Sequence, residues 1–356
     1  MRIGAAPARH ASSLAFKVSR AEYDATKKES IEASSRDAFW LDIAREEITW
    51  FEEPTRALDF RADSAEKFSS PIPKWFPDGT TNLSLNALDR HVEAGLGDRV
   101  ALAYHSTVGG NSREITYAEM LEDVASFAGA LEELGVSAGD RVLLYMPMIP
   151  ESAVAMLACT RIGAVHSVVF GGFAAPELAV RIDDAAPKVV IAATCGLEGA
   201  KGALEYMPAV NEALELADHD VPSVVVMQRT EEAAAGVEYA LREGRDHDFA
   251  SMVRSPSRAE PVPLGSNDPL YTIYTSGTTG DPKGILRDNS HAITLKWSMT
   301  AYYGTAPGET FFAASDIGWV VGHSCKCSSL FGGLPKSKAA STQTSSTRRC
   351  CTAAPA

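Results

Sequence analysis

Residues 141–170, RVLLYMPMIPESAVAMLACTRIGAVHSVVF, change their hydrophobic period twice. RVLLYM (141–146) is a near-continuous apolar run, ESAVAMLACTRIG (151–163) has the look of a helix, and AVHSVVF (164–170) is apolar again. A short strand buried on both faces, a helix of about three turns and a second such strand form a βαβ unit, whose right-handed crossover sets the strands parallel. The alternation goes on: PELAVRIDDA (176–185) reads as helix, KVVIAAT (188–194) as strand, a further helix follows, and SVVVMQR (223–229) is strand again. The expectation is an α/β fold with parallel sheets flanked by helices.

Upstream, Thr116 and Glu119 make a capping box before YAEMLEDVASFAGALEEL (117–134), where Met120, Val124, Phe127, Leu131 and Leu134 recur at helical spacing and Gly135 supplies a stop. Earlier still the pattern weakens. SRDAFWLDIAREEITWF (35–51) has helical spacing, and PKWFPDGTTNLSLNALDRHV (73–92) mixes turn residues with aromatics, so a peripheral cap is expected, with Trp75 and Phe76 in its packing. Downstream, RSPSRAEPVPLGSN (254–267) is rich in proline and serine and reads as a connector. PLYTIYTS (269–276) reads as strand, NSHAITLKWSMTAYY (289–303) as helix and ETFFAAS (309–315) as another strand.

The 356 residues are 45% apolar and 22% charged, which suits a globular protein of about two domains. A net charge of −13 argues against a general nucleic-acid binder, since such proteins neutralise phosphates with a basic surface. No apolar run approaches the ~20 residues that span a bilayer, so no membrane partner is expected. Residues 1–21, MRIGAAPARHASSLAFKVSRA, hold Arg2, Arg9, Lys17 and Arg20 and no acid. They read either as a mitochondrial transit peptide or as an uninformative terminus, with a matrix or a cytoplasmic location as the alternatives, and residues 1–30 are expected to be flexible.

Cys159 and Cys195 lie in apolar or small-residue stretches and read as reduced core residues. Cys325, Cys327, Cys350 and Cys351 fall in a tail, 325–356, that has five basic residues, ten Ser/Thr and no acid. Such a composition buries too little apolar surface to offset chain entropy, so disorder is expected, with an out-of-frame or mis-spliced end as its source. Its CxC and CC spacings lack the pairing of zinc sites, and no metal-ligating residue is assigned.

Between the strand at 269–276 and the helix at 289–303 lies Thr275-Ser276-Gly277-Thr278-Thr279-Gly280-Asp281-Pro282-Lys283-Gly284. Glycine amides, hydroxyls and a lysine in one loop suit a phosphate. The loop is not a Walker A motif, because Lys283 follows Pro282 and precedes Gly284, leaving no Gly-Lys-Ser/Thr for magnesium. It resembles the phosphate loop of the adenylate-forming enzymes. Within them, WFPDGTTNLSLNALDRHV (75–92), RIGAVHSVVFGGFAAPELAVRIDDAAPKVV (161–190) and SDIGWVVGHS (315–324) resemble short-chain acyl-CoA synthetases, and TSGTTGDPKGILRD (275–288) leans toward propionate-CoA ligases over acetyl-CoA synthetases.

The resemblance runs from about Phe39 to Ser324 and implies a cap segment over 31–100 and a partial AMP-binding domain, the N-terminal part of an adenylate-forming fold, over 101–324. It implies ATP-dependent conversion of a small carboxylate, propionate or acetate, to an acyl-adenylate and then to acyl-CoA, with ATP, Mg²⁺ and coenzyme A as the small-molecule partners. It also implies roles. Thr275, Ser276, Gly277, Thr278, Thr279 and Gly280 wrap the pyrophosphate end, and Lys283 adds catalytic positive charge. Trp319, Val320 and Val321 wall a small acyl cavity, although on spacing alone they read as core. His323 stands at the carboxylate or adenylate end or serves as structure. Gly171 and Gly172 admit coenzyme A or simply make a βα turn, and Lys201 is the one basic residue where relatives place arginines for the 3′-phosphate. His166 reads as structural. Such relatives are nearly twice as long, and their Mg²⁺-holding acid, adenine contacts and C-terminal lysine have no counterpart after Ser324, so a truncated ligase and a non-catalytic nucleotide-binding fragment both stand as expectations.

Overall fold

The computed structural model describes residues 19–32, 34–59, 73–199, 202–275, 282–301, 303–305 and 308–329. Seven strands make the main sheet: β1 (Arg141–Tyr145), β2 (Val165–Val169), β3 (Val189–Ala193), β4 (Ser223–Met227), β5 (Asp246–Asp248), β6 (Pro269–Thr275) and β7 (Lys283–Asp288). Their order is β5-β4-β3-β1-β2-β6-β7. All neighbours run parallel except β7, which returns antiparallel along β6. The α/β expectation is met. Every residue of β2 and β3 is buried, as strands covered on both faces must be.

The helices, in chain order, are α1 (Arg20–Ile31), α2 (Arg36–Glu47), α3 (Tyr117–Glu133), α4 (Pro150–Arg161), α5 (Ala175–Ala185), α6 (Met207–Leu216), the single turn α7 (Phe249–Met252), α8 (His291–Ala301) and α9 (Val320–Ser329). From β1 the chain steps one way to β2 and then back across to β3 and β4. Right-handed crossovers in opposite directions place their helices on opposite faces, so α4 covers one face and α5 with α6 the other. Helix α3 packs on α4 and α5 packs on α6. The Thr116–Glu119 capping box is formed in both directions, and Met120, Val124, Phe127 and Leu131 are buried.

The cap is tied to this body by polar side chains. Asn82 Nδ2 donates to the carbonyls of Thr160, Arg161 and Val262, and Arg161 grips Asp89 through two nitrogens at 2.8 and 2.9 Å. A second small core joins Ala44, Ile48, Trp50, Ala57 and Phe76 to Ile293 of α8, with Trp75 packed against it, which gives the two aromatics their expected role. The connector is anchored rather than loose, because Leu264–Gly265 pairs with Thr80–Thr81. Cys159 and Cys195 are buried free thiols.

Three local expectations need correction. Of residues 1–30, expected to be flexible, 1–18 lie outside the described residues, while from Arg20 the chain is helical, because Ser19 and Glu22 form a reciprocal capping box and α1 leans on α2. Residues 309–315 form no strand. Their backbone has no ladder partner beside the sheet, whose order ends at β7, and Phe311 instead packs edge-on to Tyr303. Residues 283–288, read only as the end of the phosphate loop, are that last strand. The tail from 330 lies outside the described residues, while 325–329 complete α9.

Candidate functional site

In a parallel sheet every strand ends on the same side, and ligands settle there, at the point where successive crossovers diverge. The reversal around β1 puts that point at the carboxyl ends of β1, β2 and β3. An open cleft of ≈ 740 Å³, its solvent-open mouth included, lies there, and each wall is a segment that follows a strand: Pro147–Ile149 after β1, Phe170 and Gly171 after β2, Gly196–Glu198 after β3 and Arg229 after β4. Tyr104 and Asp316 complete it from outside the sheet.

Tyr206 lines the cleft, and the buried Tyr145 lies behind it. Tyr145, the last residue of β1, accepts from the Gly172 N–H at 3.1 Å and donates to the Phe173 carbonyl at 2.8 Å, so it pins the turn after β2. Gly172 holds φ = 118° in that turn, a backbone shape that favours glycine. Tyr206 packs against Tyr145 at a tilt of 56°, with ring centroids 4.8 Å apart, and its phenol fills the space over Gly171 and Gly196. A Cβ at Gly171 would meet the ring carbon that carries the hydroxyl at 2.8 Å. Gly171 is therefore required by Tyr206, a neighbour within the chain. Burial holds the Tyr206 phenol in its neutral form.

The cleft is acidic in balance. Burial works against the Arg229 cation, but twin 2.8 Å hydrogen bonds to Glu231 outweigh it and raise the arginine's pKa, while the same contact lowers that of Glu231. Arg229 is thus neutralised by Glu231, and Glu198 and Asp316 add carboxylates to the wall.

The glycine-rich stretch lies in sequence between β6 and β7, and Thr275 ends β6 on the side of the sheet where the cleft opens. Thr275 closes β6 and is paired with Lys283, the first residue of β7; both are exposed. Ser276, Gly277, Thr278, Thr279 and Gly280 lie outside the described residues, as does Lys201. Among the described residues no cluster of three or more His, Cys, Asp or Glu side chains could hold a metal ion.

SDIGWVVGHS folds back on itself as α9 begins. A Cβ at Gly322 would overlap the Ser315 and Asp316 carbonyls, which is why this position is glycine. Trp319, Val320 and Val321 are 48%, 44% and 57% exposed, so among the described residues they present an open apolar face instead of walling a cavity. Trp319 tilts toward Phe170 at the cleft, 6.4 Å between centroids. His323 points inward. It is buried, its Nε2 lies 2.8 Å from Nε2 of His166, and Tyr271 packs on it at 4.0 Å. The structure thus brings Gly171 to the cleft, Thr275 beside Lys283, and His323 to His166, and it keeps His323 away from any open surface. Tyr145, Tyr206, Arg229 and Asp316 were not found by sequence reading. They are scattered across the chain, and only the strand-end position of Tyr145, a polar side chain closing an apolar run, gave a local signal.

Residues 88–338 match the AMP-binding enzyme family and residues 23–87 match the acetyl-coenzyme A synthetase N-terminus. The chain is 44% identical over 292 residues to the human protein acyl-CoA synthetase short-chain family member 3, mitochondrial, with 82% of this chain and 41% of the relative covered. It is 45% identical over 295 residues to acetyl-coenzyme A synthetase of Streptomyces coelicolor, covering 82% and 43%, and 46% identical over 303 residues to an uncharacterised Pseudomonas aeruginosa protein, covering 83% and 46%. The chain spans less than half the length of these relatives. Among the described residues no helix is long and apolar enough to cross a membrane.

Proposed function

Because the chain belongs to the family of AMP-binding enzymes, we propose that it carries the nucleotide-gripping part of an ATP-dependent ligase that joins a short-chain carboxylate to coenzyme A. Propionate is the preferred acid and acetate is also taken. One observation supports the reading: Thr275 and Lys283, which bound the threonine- and glycine-rich stretch, are paired and exposed at the carboxyl end of β6, on the side of a parallel sheet where the cleft at the crossover reversal opens. The names of the relatives, short-chain acyl-CoA and acetyl-CoA synthetases, support it.

In the reaction a carboxylate oxygen attacks the α-phosphorus of ATP and pyrophosphate leaves; the thiol sulfur then attacks the acyl carbon and AMP leaves. The first step drives an anion onto a polyanion, so positive charge and N–H or O–H donors at the phosphates lower its barrier. Lys283, Thr275 and the loop residues Ser276 to Gly280 take that role. Magnesium bound with the nucleotide would screen the phosphates further. Trp319, Val320 and Val321 face the acyl chain, where one extra methylene is worth about 1 kcal/mol, too little to exclude acetate. Gly171 and Gly172 line the thiol side, and Lys201 is the basic residue nearest in sequence for a 3′-phosphate. His323 acts by holding this segment in place and does not touch substrate. The basic, acid-free residues 1–21 and the mitochondrial relatives favour the mitochondrial matrix, with the cytoplasm as the alternative.

The open face at Trp319–Val321 favours one second reading, a chain that binds nucleotide without turning it over. Calorimetric titration with Mg-ATP and ATP–pyrophosphate exchange with propionate separate the two. Binding with exchange, both lost in Lys283→Ala, supports the ligase; binding alone supports the second reading. No ATP binding by the folded chain rejects both.

A further inference from the structure

The imidazoles of His166 on β2 and His323 on α9 lie nearly coplanar, 14° apart, with their Nε2 atoms 2.8 Å from one another. At that distance one nitrogen must hold a proton and the other a lone pair. One ring is therefore the Nε2–H tautomer and the other the Nδ1–H tautomer. Among the described residues both Nδ1 atoms are buried without a hydrogen-bond partner, as is Nε2 of His291 on α8. The Tyr271 ring stands among the three imidazoles, and its hydroxyl meets that of Ser324 at 3.3 Å.

We propose that His166 is a positioning residue: by donating to or accepting from His323 it latches the start of α9, and with it the Trp319–Val321 face, onto the sheet, and the latch opens as the two imidazoles take up protons. A proton on the accepting Nε2 leaves two N–H groups facing each other, and a proton on the donor ring's free Nδ1 keeps the bond but makes a buried cation, so both are disfavoured in the closed geometry. Among the described residues nothing packed around the pair offers a compensating charge. From β6 comes Tyr271; from α8, His291 near Arg287 and Asp288, and Lys296, which is paired with Glu47. From α4 come Glu151 and Arg161, paired with Arg113 and Asp89, and the buried thiol Cys159. Burial lowers the pKa of His166 to about 3 and that of His323 well below its ordinary value. The orphaned Nδ1 atoms make the contact costly to keep and easy to open. The latch rests on this geometry alone; only its bearing on the acyl end depends on the function proposed above.

Amide hydrogen exchange of the whole chain, corrected for intrinsic rates and run without nucleotide or carboxylate, tests it. An imidazole that is protonated only when released shifts the opening equilibrium about tenfold between pH 7.5 and 5.5, so the pair gives about 100-fold. Protection of the 323–327 amides should fall by that factor while Leu143 and Ile191 stay protected. In His166→Asn, whose amide can still bond His323 but does not titrate, the fall should shrink to about tenfold. In His166→Phe protection should already be low at pH 7.5. An unchanged 100-fold fall in His166→Asn, a wild-type change below about threefold, or parallel loss at Leu143 and Ile191 would each overturn the latch.

Discussion

Replacing Asp89 by asparagine should cost this protein a large part of its stability. Arg161, in the last turn of α4, is only 2% exposed. Its two terminal nitrogens grip Asp89 at 2.8 and 2.9 Å, and its Nε donates to the Ala259 carbonyl at 2.6 Å, so one guanidinium joins α4, the cap and the connector. The nearest other carboxylate, Glu260, stands 3.9 Å away on a side chain that is 92% exposed, too well solvated to replace Asp89. The amide of Asp89→Asn would keep the shape and leave a buried cation with half its partner, a change that costs about 3–5 kcal/mol. With an unfolding slope of about 3 kcal/mol per molar urea, the midpoint falls by about 1–1.7 M. The pair taken out together, Asp89→Leu with Arg161→Met, should return to within about 1 kcal/mol of the parent, because no charge is then stranded. Urea titrations followed by circular dichroism supply the cycle. A midpoint loss under about 0.3 M in Asp89→Asn, or a double variant equal to the sum of the singles, would refute the buried-charge account.

Acid should weaken the fold through its buried histidines. Burial lowers His166 to about 3 and, helped by Arg287, His291 to about 4, so below pH 6.5 the unfolded chain takes up protons that the folded chain refuses. Stability is therefore whole above that pH and falls as pH drops, by about 2 kcal/mol per imidazole at pH 5. Urea midpoints at pH 7.5 and 5.0 should separate less in His291→Gln than in the parent, and equal separation contradicts this. Gly171→Ala should displace the Tyr206 phenol and lower the melting temperature by several degrees, and adding Tyr206→Ala should restore part of the loss; no recovery would mean that the glycine serves something other than that contact. Thr116→Ala removes one side of the α3 capping box and should cost about 1 kcal/mol by urea titration, whereas a neutral result would show that the helix start is held by packing alone.

Much of this was legible along the chain. The alternation from 141 to 229 carries the parallel sheet, because strands covered on both faces must be apolar throughout and their crossovers must be helical. The family motif at 275–284 was legible for a different reason: its glycines, hydroxyls and lysine are contiguous, so a contiguous pattern records them. The strand at 283–288 was missed because every residue but Asp288 is exposed, which erases the alternation that marks a strand. The helix from Arg20 was missed although Ser19 and Glu22 carry its cap, because a basic, acid-poor stretch precedes it.

Sequence by itself determined the fold class and the family, both of which rest on residues that act through their neighbours in the chain. Only the tertiary structure decided that Gly171 makes room for Tyr206, that Arg229 is neutralised by Glu231, and that His323 is bound to His166 from the far side of the chain. These are contacts between segments that meet only when the sheet assembles, and no local pattern of residues encodes which side chain will lie opposite which.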